Sequence, residues 1–384
     1  MICTDLDFFS PVLRAGLFIF AVLFLLRRGE FWVFLRGRCR MKGIAHFSIG
    51  VAVATFIPGA MERALNGHAF DLLVAGAFGI LPDTLDFKFA RFFAREDYIV
   101  DPDPDDLDPQ KIADTIAKAI NEAHRTGKSV HVRFHTLQLA PDRWQKYELW
   151  FNTENSEVVV KIGPVVSTSQ QPLEGTEPPP EKAIGRAKVE CGLIHTYDKF
   201  TRVDILSGPT IEFKPRPGDK VEVIFIPWHR QWSHSFTLGL YLGIAAWILF
   251  GWYWALMVAL PFWAHVAADC LGFMGGNLFW PFTKERTAGL KLFHASAPLA
   301  NFFGVWISGL VVVYNANRVA PEPIFNMGPL KFFGIWLGIP ALLVALYMFI
   351  KKKTQPISEE EEQTRELLEE FADGGELGAG PAKG

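Results

Sequence analysis

Several things this chain lacks set the first limits on what it does. It has four cysteines, Cys3, Cys39, Cys191 and Cys270, scattered over 384 residues with no C-x-x-C pair. That spacing indicates neither a disulfide framework nor a cysteine-based zinc site. Net charge is nearly absent too, at -3, and it averages basic stretches against an acidic tail. No nucleic-acid partner is therefore expected. No internal repeat is visible, which removes the signature of a transporter built from two related halves. Two serines, Ser233 and Ser235, stand near histidines, but no base and third member accompany them in a nucleophile pattern.

What the chain has is apolar surface. Half of the residues are apolar, with 34 Phe and 12 Trp, and they are bunched into runs. The runs fall near residues 12–26, 44–60, 69–89, 235–250, 252–271, 301–315 and 332–350. Basic residues close alternate loops: Lys88, Arg91 and Arg95; Lys284, Arg286 and Lys291; then Lys351, Lys352 and Lys353. Hydropathy and the positive-inside rule predict a mainly α, polytopic membrane helix bundle of six or seven spans, multi-pass, with its C-terminus in the cytosol.

The domain reading follows the composition. Residues 1–40 are either an extra N-terminal span or an extension ahead of a start at Met41. Residues 41–95 and 227–353 form the two halves of a membrane core, and 354–384 an acidic disordered tail. Between the halves, 96–226 changes character. Ile112, Ile116, Ile120 and Ala123 share one helix face, and after Gly127 the period becomes two. Val130, Val132 and Phe134 alternate with polar residues, as do Tyr147, Leu149 and Phe151, then Val158, Val160 and Ile162, then Val221, Val223 and Phe225. This predicts an inserted cytosolic α+β domain of one helix and about six strands. Gly239-x-x-x-Gly243 and Gly334-x-x-x-Gly338 allow close helix approach.

Four places put metal-capable side chains at the ends of apolar runs: His46, the turn carrying Asp83 and Asp86, the pair His229 and His234, and His265 with Asp269. The last pair is spaced i,i+4 and lies on one helix face. The topology brings all four to one membrane face. Ionisable groups at such places cost free energy unless they pair or bind something. Imidazole and carboxylate suit a divalent metal, Zn²⁺ with Mn²⁺ or Fe²⁺ as alternatives, and seven donors allow one ion or two. Each element has a plainer reading. His46 can be an interfacial residue, Asp83 a helix-stop residue and His265/Asp269 a mutually satisfied pair. His124, His131, His135 and His195 read as solvated surface, and His294 lies in a loop near the site.

With these residues in place, the chain resembles the YdjM-type family of LexA-binding, inner-membrane-associated metal-dependent hydrolases. The resemblance rests on His46, on Leu81-Pro82-Asp83-Thr84-Leu85-Asp86, on His229-Arg230-Gln231-Trp232-Ser233-His234-Ser235, on His265 to Asp269, and on Trp280-Pro281. Ser233 stands where that pattern has Thr, and Gly272 where a Thr follows the aspartate. The resemblance, and the family's wider likeness to zinc phospholipase C enzymes, imply phosphoester hydrolysis at the cytosolic leaflet, with a membrane lipid or lipid phosphate as substrate.

On that reading His46, Asp83, Asp86, His229, His234, His265 and Asp269 hold the metal, whose water is the nucleophile. Asp86 is the candidate base, Arg230 pairs with the anionic group, and Ser233 and Ser235 support by hydrogen bonding. Two readings from other classes remain open: a metal-ion or proton-coupled transporter, and a metal-stabilised scaffold or sensor. The oligomeric state is not legible.

Overall fold

The structure is a computed structural model that describes residues 42–168, 171–195, 200–203, 208–292 and 297–354. The apolar run at 12–26, the acidic tail and His294 lie outside the described residues. The principal helices, in chain order, are α1 (Lys42–Ala54), α2 (Phe70–Lys88), α3 (Pro109–Thr126), α4 (Phe236–Phe250), α5 (Trp252–Cys270), α6 (Pro298–Val319) and α7 (Ile339–Thr354). Short helical turns precede α2 at Ala60–Arg63 and α7 at Pro329–Phe333. The chain divides into two compact units: the residues up to Phe92 together with His229–Ile350, and a unit containing Phe93–Trp228.

The mainly α polytopic bundle of six or seven spans is not what forms. Two helical segments are long and apolar enough to cross a membrane, Leu299–Val319 and Pro329–Ile350, among the described residues. Length disqualifies α1 and α4. At 13 and 15 residues they rise about 20 and 22 Å, short of a hydrocarbon core about 30 Å thick. Charge lowers α2, which carries Asp71, Asp83, Asp86 and Lys88. In α5, Pro261, His265 and Asp269 dilute an otherwise apolar run. Apolar composition was therefore a poor guide here, because part of it serves helix-on-helix packing. Among the described residues ten strands form two sheets, where about six strands were expected.

In the helical unit, glycines let α1, α2, α4 and α5 approach closely. A Cβ at Gly79 would come within 2.7 Å of the His46 carbonyl oxygen, and one at Gly50 within 2.8 Å of the Ala75 carbonyl oxygen. This contact sets His46 beside the last turns of α2. Gly239 and Gly243 do the same for α4, against Trp263 and Ala259 of α5. Gly334 meets no neighbour, so only the first of the two small-residue motifs is a packing site. Ala54, Ile57, Met61, Leu72, Ala75 and Met257 form the core away from the metal-capable residues. Arg63 and Tyr253 both bond buried Asp71 there, at 2.7 and 2.9 Å.

The other unit is α plus β. Asp108 caps α3 by accepting from the Gln110 amide at 2.8 Å, Pro109 opens it, and Gly127 ends it with a φ of 66°. Its Ile112, Ile116, Ile120 and Ala123 face is buried, as the spacing predicts. One sheet runs β1 (Tyr98–Val100), β2 (Val130–Phe134), β9 (Thr210–Arg216), β10 (Lys220–Phe225) and β7 (Gly192–His195). Its outer pairs, β1 with β2 and β10 with β7, are parallel, and its inner pairs antiparallel.

The second sheet is antiparallel: β3 (Leu137–Ala140), β4 (Arg143–Asn152), β5 (Glu157–Ser167) and β6 (Ile184–Lys188). The strand β8 (Phe200–Val203) shares the β3 edge of β4. The alternating residues Val132, Phe134, Tyr147, Leu149, Val158, Val160 and Val221 all enter one core with α3. His195 is not a free surface residue. It is half-buried, with Nε2 2.8 Å from the Phe151 carbonyl oxygen.

Candidate metal centre

The site is assembled from four places in the helical unit. The first turn of α1 supplies His46, the last two turns of α2 supply Asp83 and Asp86, and the last two turns of α5 supply His265 and Asp269. The turn before α4 supplies His229 to Ser235. That turn is shaped by Arg230 in a left-handed conformation, φ 57°, uncommon for a residue with a Cβ. Its backbone N–H thereby reaches Asp86 Oδ2 at 2.8 Å. Ser235 caps α4, accepting from the Thr237 and Leu238 amides at 3.1 and 3.4 Å while donating to the Trp280 carbonyl at 3.1 Å.

Four donor atoms converge. His234 Nε2 lies 3.2 Å from His265 Nε2, 3.1 Å from Asp269 Oδ2 and 3.4 Å from Asp83 Oδ1. His265 Nε2 lies 3.3 Å from Asp269 Oδ2 and 3.9 Å from Asp83 Oδ1. Bonds of about 2.0–2.1 Å to a tetrahedral ion separate its ligands by about 3.3 Å. The observed separations bracket that edge.

The tautomers fit as well. His265 Nδ1 donates to the Gly79 carbonyl at 2.7 Å, and His234 Nδ1 donates to Ser233 Oγ at 3.0 Å with Asp86 Oδ2 at 3.2 Å. Both rings therefore turn an Nε2 lone pair inward, with a carboxylate or carbonyl behind, as metal-ligating histidines do. Asp269 Oδ2 is buried and has no hydrogen-bond partner. A buried carboxylate oxygen aimed at two imidazole nitrogens is what a cation site leaves behind, so the donor set fits a divalent metal.

Asp86 plays a different part from Asp83. It is fully buried, and both its oxygens are engaged: His229 Nδ1 at 2.8 Å, the Arg230 amide, His234 Nδ1, and the Ser233 hydroxyl. Together with His229 and His234 it makes a second metal-capable group, which shares His234 with the first. Asp83 is the accessible carboxylate, its side chain 23% exposed against 7% or less for the other three donors.

Arg230, expected to meet an anion, points elsewhere. Its Nη2 bonds Asp269 Oδ1 at 2.7 Å, and its Nη1 lies 3.3 and 3.4 Å from the Asp269 and Gly275 carbonyls. His46 Nε2 is 3.4 Å from Asp269 Oδ1, and its ring stacks on His265 with centroids 3.8 Å apart. It walls the site and stands outside the four-donor set.

The charges in the turn follow from this packing. Burial lowers His229 below the ordinary histidine value, and its bond to Asp86 only partly offsets that. Burial opposes the cation of His234 too, but the facing carboxylates of Asp269, Asp83 and Asp86 win and raise it well above the ordinary value. Two of these carboxylates, Asp269 and Asp83, are also donors of the four-atom set.

Sequence reasoning missed the loop that closes the site from behind. The Asn277 amide donates to the Arg230 carbonyl at 2.9 Å, and Arg286 Nη1 donates to the His229 carbonyl at 3.2 Å. The loop turns at Gly275, φ 63°, where a Cβ would lie 1.9 Å from the Thr287 carbonyl oxygen. The Gly79 carbonyl that orients His265 was invisible as well, because a backbone acceptor has no residue type to announce it.

Comparison with known proteins adds one finding. Residues 208–353 match the family model described as YdjM inner membrane protein. The matched segment contains His229 to Ser235, His265, Asp269 and Trp280-Pro281, while His46, Asp83 and Asp86 precede it. No curated protein and no solved structure matches the chain. The histidine motifs and this match name the same family, that of the YdjM inner membrane protein.

Proposed function

We propose that the helical unit is a divalent-metal-dependent hydrolase of phosphoesters, with a phosphorylated lipid as substrate. The observation that carries this is the convergence of His234 Nε2, His265 Nε2, Asp269 Oδ2 and Asp83 Oδ1, with Asp83 alone partly open to the outside. Zn²⁺ is the best fit to two imidazoles and two carboxylates, with Mn²⁺ or Fe²⁺ as alternatives. One ion is favoured over two, since every oxygen of Asp86 is already bonded. A divalent cation in this shell supplies Lewis acidity and a water acidic enough to attack at neutral pH.

The protein's own residues do the rest. Asp83 is placed to accept the proton of an attacking water or to close the shell. Asp86 orients His234, and Arg230 fixes Asp269. The proposal places the centre at the cytosolic side. Lys351 to Lys353 follow the second candidate span, and the loop before the first carries Lys284, Arg286 and Lys291. These spans run antiparallel, with Trp306 bonded to the Trp336 carbonyl and Tyr314 against Phe332. Gly304, near the start of α6, faces Ala45 beside His46. A lipid substrate is supported by the exposed Phe87 against the His229 ring and by exposed Phe279 and Phe282 on the adjoining loop.

The test is metal analysis of purified protein followed by phosphate release from a panel of phosphorylated lipids in nanodiscs. One ion per chain and release that disappears in His234→Ala and Asp269→Ala are expected. Fully loaded protein that releases phosphate from no member of the panel would reject hydrolysis.

A further inference from the structure

The end of the helical unit away from the metal centre holds a cavity of about 400 Å³ between the end of α1, the last turns of α6 and the turn before α7. The size falls within the range of about 300–1,000 Å³ typical of small-molecule sites. Phe56, Tyr314 and Phe333 give it aromatic walls, and Arg318 stands at its edge. We propose that this cavity binds a phospholipid, with its phosphate on Arg318 and its acyl chain among the three aromatic rings.

Three observations carry this. Arg318 forms no ion pair or hydrogen bond among the described residues, whereas Arg63 at the same end is bonded to Asp71. A guanidinium beside an apolar cup and lacking a carboxylate is matched by an anionic head with a hydrocarbon tail. Basic pockets between spanning helices hold lipid headgroups on this principle. Second, the cup is built in advance. Asn317 accepts from the Ile324 and Phe325 amides at 2.7 and 3.1 Å and donates to the Phe325 carbonyl at 2.8 Å. Phe325 stacks on Phe332 at 4.9 Å, and Tyr314 lies 5.7 Å from Phe333. Third, Phe56 is 65% exposed, and both helices that bound the cavity belong to the segments able to cross a membrane.

A favourable cation at the end of α6 would explain Arg318 by the helix dipole alone, but it would not explain a concave aromatic surface beneath it. The site is separate from the metal centre. His46 and Thr55 mark the two ends of α1, about 14 Å apart by helical rise, and Thr55 bonds Asn315 at 2.7 Å on the cavity side.

The experiment uses the full chain in non-ionic detergent after chelation, so that the metal centre cannot serve as the anion site. Binding of dihexanoyl phosphatidic acid is measured by titration calorimetry beside inorganic phosphate and hexanoate. Saturable binding of the phosphatidic acid, weakened about tenfold in Arg318→Gln and in Phe333→Ala, is expected. Arg318→Lys should keep most of it, and it supplies the answer if the glutamine variant fails to fold. Equal binding by wild type and Arg318→Gln would overturn the proposal. So would inorganic phosphate binding as tightly as the lipid, or hexanoate displacing it at equal concentration. Metal uptake by Arg318→Gln should match wild type, which keeps this result independent of the hydrolase reading.

Discussion

Arg230 and Asp269 form a buried ion pair, Nη2 to Oδ1 at 2.7 Å, in which both side chains are 7% exposed. The same arginine gives its backbone N–H to Asp86. One residue in a turn thus ties the carboxylate of α5 to that of α2, and the donor atoms between them inherit their spacing from it. Breaking a buried pair on one side leaves an uncompensated charge, at a cost of about 3–5 kcal/mol. Arg230→Gln is therefore expected to lower the melting temperature of metal-free protein and to weaken metal binding, and added Zn²⁺ should recover part of the stability. Thermal unfolding with and without Zn²⁺ checks both. A variant as stable as wild type would show the pair to be idle.

The histidines divide into ligands and walls. His234→Ala should abolish metal binding, because its Nε2 lies within 3.4 Å of each of the other three donors, His265, Asp269 and Asp83. His46→Ala should retain one ion per chain, since its Nε2 faces Asp269 Oδ1 and not the Oδ2 of the four-donor set. Metal content after dialysis reads the difference. Loss in both variants would return His46 to the donor set.

Proton linkage gives a third expectation. His234 is raised above 6.5 by its carboxylates, so in metal-free protein it contributes stability that is full below about pH 6.5 and is lost as pH rises through the raised value. His229, lowered by burial, acts in the opposite sense, costing stability as pH falls through 6.5. A metal ion takes the place of the His234 proton. At pH 7 each Zn²⁺ bound should expel about one proton, seen as a dependence of the calorimetric heat on buffer ionisation enthalpy. Affinity should rise with pH until His234 is deprotonated in the free protein. Heats independent of buffer would contradict this charge assignment.

Gly79 offers a test of the backbone's share. A Cβ there would sit 2.7 Å from the His46 carbonyl oxygen and 3.0 Å from Gly50 Cα, both backbone atoms that cannot rotate away. Gly79→Ala should spread α1 from α2, moving the carbonyl that orients His265, with a loss of about 1–3 kcal/mol as for other overpacked sites. Unfolding and Zn²⁺ affinity should fall together. Unchanged affinity would mean that the Gly79 carbonyl is dispensable.

Much of the candidate site was legible in the sequence because its chemistry is written in rare, local patterns. His265 and Asp269 at i,i+4, and His229 with His234 beside an apolar run, are conspicuous in a chain so poor in polar residues at those places. The strands at Val130–Phe134, Arg143–Asn152, Glu157–Ser167 and Lys220–Phe225, and the helix Pro109–Thr126, were equally readable from period alone. The weaker strands β1, β3, β6, β7 and β8 were not, since none of these segments of three to five residues carries a sustained apolar alternation. The polytopic bundle was a misreading for a related reason. Hydropathy records that a segment avoids water without recording whether lipid or another helix replaces it.

By itself, then, the sequence determined which residue types could serve a metal and which stretches alternate or repeat every third and fourth residue. Tertiary structure decided their roles. It withdrew Arg230 from the open and set it on Asp269, buried Asp86 behind two histidines, left Asp83 accessible and placed His46 as a wall. These are distinctions of a few ångströms between segments far apart in sequence, 143 residues for Asp86 and His229 and 186 for Gly79 and His265. No local pattern encodes such distances, because they are fixed by glycine contacts, a left-handed turn and backbone carbonyls acting together.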